Sequence, residues 1–183
     1  MKDDYSLIVK DWLIQDEDRS TAIALAADLG LKDWCLAAGF VRNLVWDKLH
    51  GYEEATPLND IDLIYYDESY CSEIIDRTIE KKLKEKTNFP WSVKNQARMH
   101  MRNDDAPYHS TSDAMSYWVE VETAVGVRLA TNGLFELVAP FGIESLFEYT
   151  VTINDKRRKH DDFIARIQSK RWLQHWPMLK IIH

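Results

Sequence analysis

The sequence is poor in the residues that mark special architectures. Only two cysteines occur in 183 residues, Cys35 and Cys71. They are too few for a disulfide framework and lack zinc-site spacing, and this usage suits a reducing compartment. Both are expected as partly buried thiols packing as small hydrophobes. Six glycines and five prolines exclude collagen-like and linker-rich chains. No apolar run reaches the length of a membrane span. The first residues, MKDDYSLIVKDWLIQDEDRS, are interrupted by charge too often to form the apolar core of a secretion signal. The expectation is a soluble, cytoplasmic protein with no membrane partner. Positive charge is scarce as well: 23 Lys and Arg face 30 Asp and Glu, a formal charge of -7. That balance argues against a surface that coats nucleic acid, although a local basic strip can still hold phosphates.

What is present is globular. Hydrophobic residues make up 45% of the chain and seven are Trp, enough for one ordinary domain with a real core. The expected layout is a single domain over 1–183, with N-terminal helices over 1–34, a core sheet over 35–140 and a helical extension over 141–183. Residues 5–30 read as two amphipathic helices, the second starting near Ser20 or Thr21 and stopping before Gly30. DWCLAAG reads as a short buried strand, and FVRNLVWDKLHG as a helix with Val41, Leu44, Val45 and Leu49 along one stripe. Asp60–Tyr66 reads as a strand, and the charged stretch 67–86 as a helix burying Cys71, Ile74, Ile75, Ile79 and Leu83. WSVKNQARMHMR alternates as a strand, with Lys94, Gln96, Arg98, His100 and Arg102 on one cationic face. Asn95 interrupts its apolar face, so a buried amide there needs partners. A helical turn is expected around Ala114–Trp118. Asn132-Gly133 marks a hairpin, GIESLF a short helix, and DDFIARIQSKRWLQHW a C-terminal helix turning Phe163, Ile167 and Trp172 inward.

The stretch NDIDLIYYD carries the chemistry. A strand shows residues i and i+2 on one face, about 6.6 Å apart along the chain. Asp60 and Asp62 therefore look one way, while Ile61, Leu63 and Tyr65 look the other. Two carboxylates so close are costly in a partly desolvated site unless a cation neutralises them. Hard oxygen donors of this kind suit Mg²⁺ or Mn²⁺, and Mg²⁺ takes one or two carboxylates together with substrate phosphates. Upstream, Gly39 stands where a strand meets a helix, a place where backbone N–H groups can approach an anion.

LAAGFVRNLVWDKLHG followed by NDIDLIYYD resembles the head of the nucleotidyltransferase superfamily that includes DNA polymerase beta, poly(A) polymerases and tRNA CCA-adding enzymes. The last of these carry a similar Gly-x-Val-Arg-Asp block before Asp-x-Asp. WSVKNQARMH, ETAVGVRL and VAPFGIESLF look like a bacterial family of small stand-alone nucleotidyltransferases, a resemblance spanning roughly residues 35–180. It implies an α+β fold, a mixed sheet flanked by helices, in which Gly39 begins a phosphate-holding turn and Asp60 and Asp62 bind the catalytic divalent metal. The partner implied is an NTP, with an unknown acceptor. Two departures stand out. Ala38-Gly39 replaces the usual Gly-Gly or Gly-Ser, and the strand over 91–102 carries no third acid, Ser92 or Asn95 standing where one is sought. Glu120 is the matched candidate for a third metal ligand, with Glu122 the other.

Around the acids, Gly39, Asn43, Lys94, Gln96 and Arg98 are candidate nucleotide contacts, since Arg and Lys bind phosphate oxygens. Arg42 is either a nucleotide contact or a partner holding Asp60 or Asp62 in position. His50 and the tryptophans read as packing, with Trp46, Trp91 and Trp118 the candidates for base stacking. The leading expectation is a metal-dependent transfer of a nucleotidyl group from an NTP to a small molecule or protein rather than tRNA. Its rivals are a catalytically silent nucleotide-binding regulatory protein of the same fold, and a structural module whose acidic pair is incidental.

Overall fold

The computed structural model describes residues 2–183, with side chains from Asp4 onward. Helices α1 (Lys2–Gln15) and α2 (Glu17–Ala27) open the chain. Asp16 caps α2, its carboxylate accepting from the Arg19 N–H at 2.9 Å. This cap sets the start earlier than Ser20 or Thr21, because a carboxylate at Asp16 already satisfies the free N–H groups of the first turn. Arg19 is itself buried, and its Nε donates to the Phe40 carbonyl at 2.8 Å.

Next come β1 (Cys35–Ala37), α3 (Gly39–Leu49), β2 (Ile61–Tyr65), α4 (Glu73–Lys86), β3 (Trp91–Asn95), α5 (Met99–Asn103), α6 (Thr111–Met115), β4 (Gly126–Leu129) and β5 (Phe135–Val138). The strands form one mixed sheet in the order β3-β2-β1-β4-β5. Within this sheet β2 and β3 are the parallel pair and the other pairs are antiparallel; a parallel pair needs a crossover, which α4 supplies. β4 and β5 make the hairpin signalled by Asn132-Gly133, with Gly133 at a φ of 77°. The fold is thus an α+β sheet flanked by helices.

Alternation divides the sheet into two faces. Leu36, Leu63, Val93 and Val127 pack with Val41, Leu44 and Val45 of α3 in the main core. Cys35, Ala37, Ile64 and Val138 face the other way, against Met115. Asp62 lies on this second face, across from Ala37 on β1 and Ser92 on β3. β4 passes so close to β1 that a Cβ on Gly126 would lie 2.7 Å from Cys35 Sγ and 3.2 Å from the Leu36 carbonyl.

Several elements differ from expectation. β3 ends at Asn95 instead of running to Arg102, and a 3₁₀ turn over Gln96–Arg98 leads into α5. The Asn95 side chain causes the break: its Oδ1 accepts from the Ala97 and Asp67 N–H groups, while its Nδ2 donates to the Asp67 and Tyr70 carbonyls. The buried amide has its partners, but they turn the chain, so the cationic face does not extend past Lys94. The helix expected over 67–86 begins only after Ser72, whose hydroxyl caps it. Cys71 and Ile74 are exposed as a result.

The C-terminal stretch is not wholly helical. It holds β6 (Thr150–Thr152), α7 (His160–Lys170), α8 (Trp172–His175) and β7 (Lys180–Ile182), with β6 and β7 paired in parallel. Arg171 takes a φ of 53° and splits the expected single helix in two. Phe163, Trp172 and Trp176 then bury against Trp46 of α3. Among the described residues no helix is long and apolar enough to cross a membrane.

The Gly126 contact yields a test. Gly126→Ala overpacks two strands and is expected to destabilise the fold by about 1–3 kcal/mol, measured by urea unfolding; an unchanged midpoint would show that β1 and β4 yield at no cost.

Candidate active site

The site forms where the N-terminus of α3 meets the start of β2. Ala38 donates its N–H to the Val125 carbonyl at 2.7 Å and takes φ 59°, ψ -123°, a conformation that glycine occupies far more readily. This strained residue turns the chain from β1 into α3. At Gly39 a Cβ would stand 3.2 Å from Asn43 Nδ2 and 3.4 Å from Arg42 Nη2. The missing side chain therefore leaves the first turn open to an approaching group while Asn43 and Arg42 fold over it. Arg42 and Asn43 also bond to each other, Nη2 to Oδ1 at 3.0 Å.

Arg42 is buried between two indoles, its guanidinium carbon 5.0 Å from the Trp46 ring centroid and 4.7 Å from that of Trp172. Its Nη1 donates to Thr123 Oγ1 at 2.7 Å. Burial lowers its pKa to about 10, against the attraction of Glu120, so the guanidinium stays charged at neutral pH. No ion pair links Arg42 directly to Asp60 or Asp62 among the described residues. Asp47, one turn along α3, accepts from the Trp176 indole at 2.8 Å and from the Thr56 N–H at 2.8 Å. It fixes both α8 and the loop that leads to Asp60.

The two acids sit differently. Asp60 is exposed, with Lys170 Nζ 3.9 Å from its Oδ2. Asp62 is more enclosed; burial raises its pKa and the neighbouring Asp60 charge raises it further, against the lowering effects of Ser92, Lys170 and Lys94. The pair also divides two chambers. One, of about 150 Å³, is lined by Gly39, Arg42, Asn43, Asp60, Lys170 and Trp172. The other, of about 290 Å³, is lined by Asp62, Lys94, Gln96, Tyr117, Lys159 and Arg166 among others.

Of the residues singled out in the sequence, Gly39, Arg42, Asn43, Asp60, Asp62, Lys94 and Gln96 therefore converge on one region. Arg98 does not. Because β3 stops early, its guanidinium turns to the opposite side and pairs with the buried Asp76, which also binds the Tyr65 hydroxyl at 2.7 Å. Glu120 is fully buried, with both oxygens engaged by Arg166 at 2.6 and 3.2 Å. Glu122 accepts from the Thr152 N–H and the hydroxyls of Thr150 and Thr152; its pKa is raised by burial, which these bonds oppose. Among the described residues no group of three acidic, His or Cys side chains is placed to hold a metal ion. Lys159, Arg166 and Lys170, all from the C-terminal stretch, were missed by the sequence reading. Their signal was there: a basic run over 156–159 and two cations four residues apart on one helix, 166 and 170, share a face.

Residues 24–181 match a family model described as Nucleotidyltransferase. The chain belongs to this nucleotidyltransferase family. A solved NMR structure described as revealing a CCA-adding enzyme head domain is 33% identical to it, covers 94% of this chain and 93% of its own, and superposes with a TM-score of 0.81. Complexes of CCA-adding enzyme with CTP and with ATP, 16% and 15% identical, share the fold at TM-scores of 0.63 and 0.59. They cover 96% and 94% of this chain, which spans only 43% and 41% of their length. No curated protein matches the sequence.

Two expectations follow from this geometry. Ala38→Gly relieves a backbone strain of about 1–3 kcal/mol, less the entropy glycine adds to the unfolded chain, and should raise Tm by about 2–4 °C; a fall would show the turn unstrained. For Asp62, the folded-state pKa lies above the ordinary value, so its charge penalises the metal-free fold. The penalty is absent below the unfolded-state pKa and complete above the folded one, so stability falls as pH rises between them. Without metal, Asp62→Asn should therefore melt above wild type at pH 7, with the difference vanishing near pH 3. A lower melting temperature at neutral pH would contradict this sign.

Proposed function

We propose that the protein is a cytoplasmic enzyme that transfers a nucleotidyl group from an NTP to a hydroxyl on a small molecule or protein, with Mg²⁺ or Mn²⁺ at Asp60 and Asp62. The observation that carries this reading is the placing of that acidic pair beside the open first turn of α3, Asp60 in a chamber with Gly39 and Lys170 and Asp62 in the adjoining one with Lys94, Lys159 and Arg166. Family membership and the fold shared with CTP- and ATP-bound CCA-adding enzymes favour an NTP as donor.

The residues present fit a divalent ion. Asp62 is pushed toward its neutral form by burial and by Asp60, a tension that a cation relieves, and two carboxylates with phosphate oxygens are an ordinary Mg²⁺ donor set. Bound there, the ion would neutralise charge on the reacting phosphates and orient them. Gly39 and the first turn of α3 accept the distal phosphates on free N–H groups, and Asn43 adds a side-chain donor. Lys170 reaches the same chamber beside Asp60. Arg42, still cationic, contributes charge while its stacking on Trp46 and Trp172 holds it still. Lys94 and Gln96 border the α-phosphate side, next to Asp62. Glu120 completes the acidic set as a third ligand only by releasing Arg166. In phosphoryl chemistry of this kind, positioning and charge neutralisation supply most of the acceleration.

A second reading draws on one specific observation. Glu120 is held by Arg166 and Glu122 by two threonines, which leaves the acidic pair without a free third carboxylate to act as base. That arrangement suits a nucleotide-binding regulatory protein without turnover. Thermal unfolding with each NTP, with and without Mg²⁺ or Mn²⁺, separates the readings when paired with pyrophosphate release. Saturating donor at about 100 times its Kd stabilises by roughly 2.7 kcal/mol. A metal-dependent shift lost in Asp62→Asn, together with metal-dependent pyrophosphate release, is the expected result. A shift without product in any acceptor screen leaves the regulatory reading, and no shift at all removes both.

A further inference from the structure

We propose that the chamber beside Asp62 is the acceptor site and that it takes a small molecule bearing a phosphate or carboxylate group near its reacting hydroxyl. This rests on the nucleotidyltransferase reading above and names the substrate class that reading leaves open.

The two chambers share no lining residue, and each borders one member of the acidic pair: Asp60 the first, Asp62 the second. A donor whose distal phosphates sit at the first turn of α3 fills the first chamber and presents its α-phosphorus at the ridge between the acids. The second chamber then faces that phosphorus from the far side, where an incoming nucleophile must stand for in-line displacement.

Charge defines what enters. Arg166 is neutralised by Glu120. Lys94 Nζ donates to the Val93 carbonyl at 3.3 Å and feels the carboxylates of Asp62, Glu73 and Glu80, while the side chain of Lys159 makes no hydrogen bond or ion pair among the described residues. Once Asp62 is committed to a cation, the Lys159 ammonium, with Lys94 behind it, leaves the chamber positive, and a positive pocket favours an anion. Its other walls, Met99, Tyr117 and Trp118, offer apolar and aromatic surface for the body of the molecule. Lys156 lies 3.7 Å from the Tyr117 ring centroid and bonds Ser116 Oγ at 2.6 Å, which fixes that wall. At about 290 Å³, the chamber stands at the lower end of small-molecule sites, which run from roughly 300 to 1,000 Å³. A metabolite fits; a polymer would occupy only its mouth, the shallower groove running past Lys159 and Arg166 to Ser169.

In the step itself the acceptor oxygen forms a bond to the α-phosphorus as the bond from that phosphorus to the oxygen bridging the α- and β-phosphates of the NTP breaks, that oxygen becoming a terminal oxygen of pyrophosphate. Pyrophosphate leaves with the electron pair, and the hydroxyl proton passes to water at the open mouth of the chamber.

The test uses the full chain with Mn²⁺ and the NTP that gives the largest thermal shift. Pyrophosphate release is followed with glycerol 3-phosphate and glucose 6-phosphate, with glycerate, and with neutral glycerol and glucose. The phosphate and carboxylate arms tell the two anion sources apart. At least one anionic probe should speed release over its neutral counterpart and shift the melting temperature of the nucleotide-loaded protein. Lys159→Ala should raise that probe's KM about tenfold, the loss expected for one charged hydrogen bond, while leaving the NTP-induced thermal shift as in wild type. Neutral probes acting equally well, anions that compete with the NTP, or anions that neither speed release nor shift the loaded protein would each overturn the proposal. Failure of the NTP itself to bind would instead overturn the nucleotidyltransferase reading beneath it.

Discussion

The site depends on a buried cation that has to be held in place. Arg42 lies in the first turn of α3, where the helix dipole disfavours positive charge, and it is almost wholly withdrawn from water. The protein compensates with two indole faces, the Thr123 hydroxyl and the field of Glu120. Only one of those indoles belongs to α3. The other, Trp172, arrives from α8, so the stack that stabilises Arg42 also fastens the C-terminal stretch to the sheet. Lys159, Arg166 and Lys170 reach the cleft because that stretch is fastened there.

The same linkage explains why the acids were easier to foresee than the cations around them. Asp62 stands on β2 and Asp60 immediately before it, two residues apart in the chain, and that spacing is written in the sequence. Ala37 and Ser92, the neighbours across from Asp62, follow from sheet order. Arg166 and Lys170 come from a helix a hundred residues later, whose side facing the acids is set by Trp46, Trp172 and Trp176 packing together. The periodicity of α7 shows that these cations share a face, but nothing local says what the face meets.

Where local pattern misled, a hydrogen bond had outweighed it. The alternation of Trp91, Val93, Ala97, Met99 and Met101 reads as one strand, yet Asn95 ends it by bonding the Ala97 N–H at 3.0 Å and bringing in the Asp67–Tyr70 loop. Arg98 is thereby lost to the cleft and serves Asp76 instead. Likewise Ser72 capping α4 leaves Cys71 outside. The helices and strands with a strong apolar stripe, α3 and the β4–β5 hairpin, appear where pattern and turn residues jointly put them, because there the local preference and the core demand the same thing.

The pairing of β6 with β7 has a kinetic side. It joins Thr150–Thr152 to Lys180–Ile182, so the chain between them is a ring closed by main-chain hydrogen bonds, with α7 and α8 inside it. Lengthening such a ring adds little to its closure entropy, but its contacts with α3 join residues far apart in sequence, and contacts of that kind form slowly. The sheet alone holds Asp62 between Ala37 and Ser92, whereas Lys159, Arg166 and Lys170 are placed only when this ring packs on α3. A local opening that parted Trp172 and Trp176 from Trp46 would therefore take the cationic wall from the acids and leave the sheet intact.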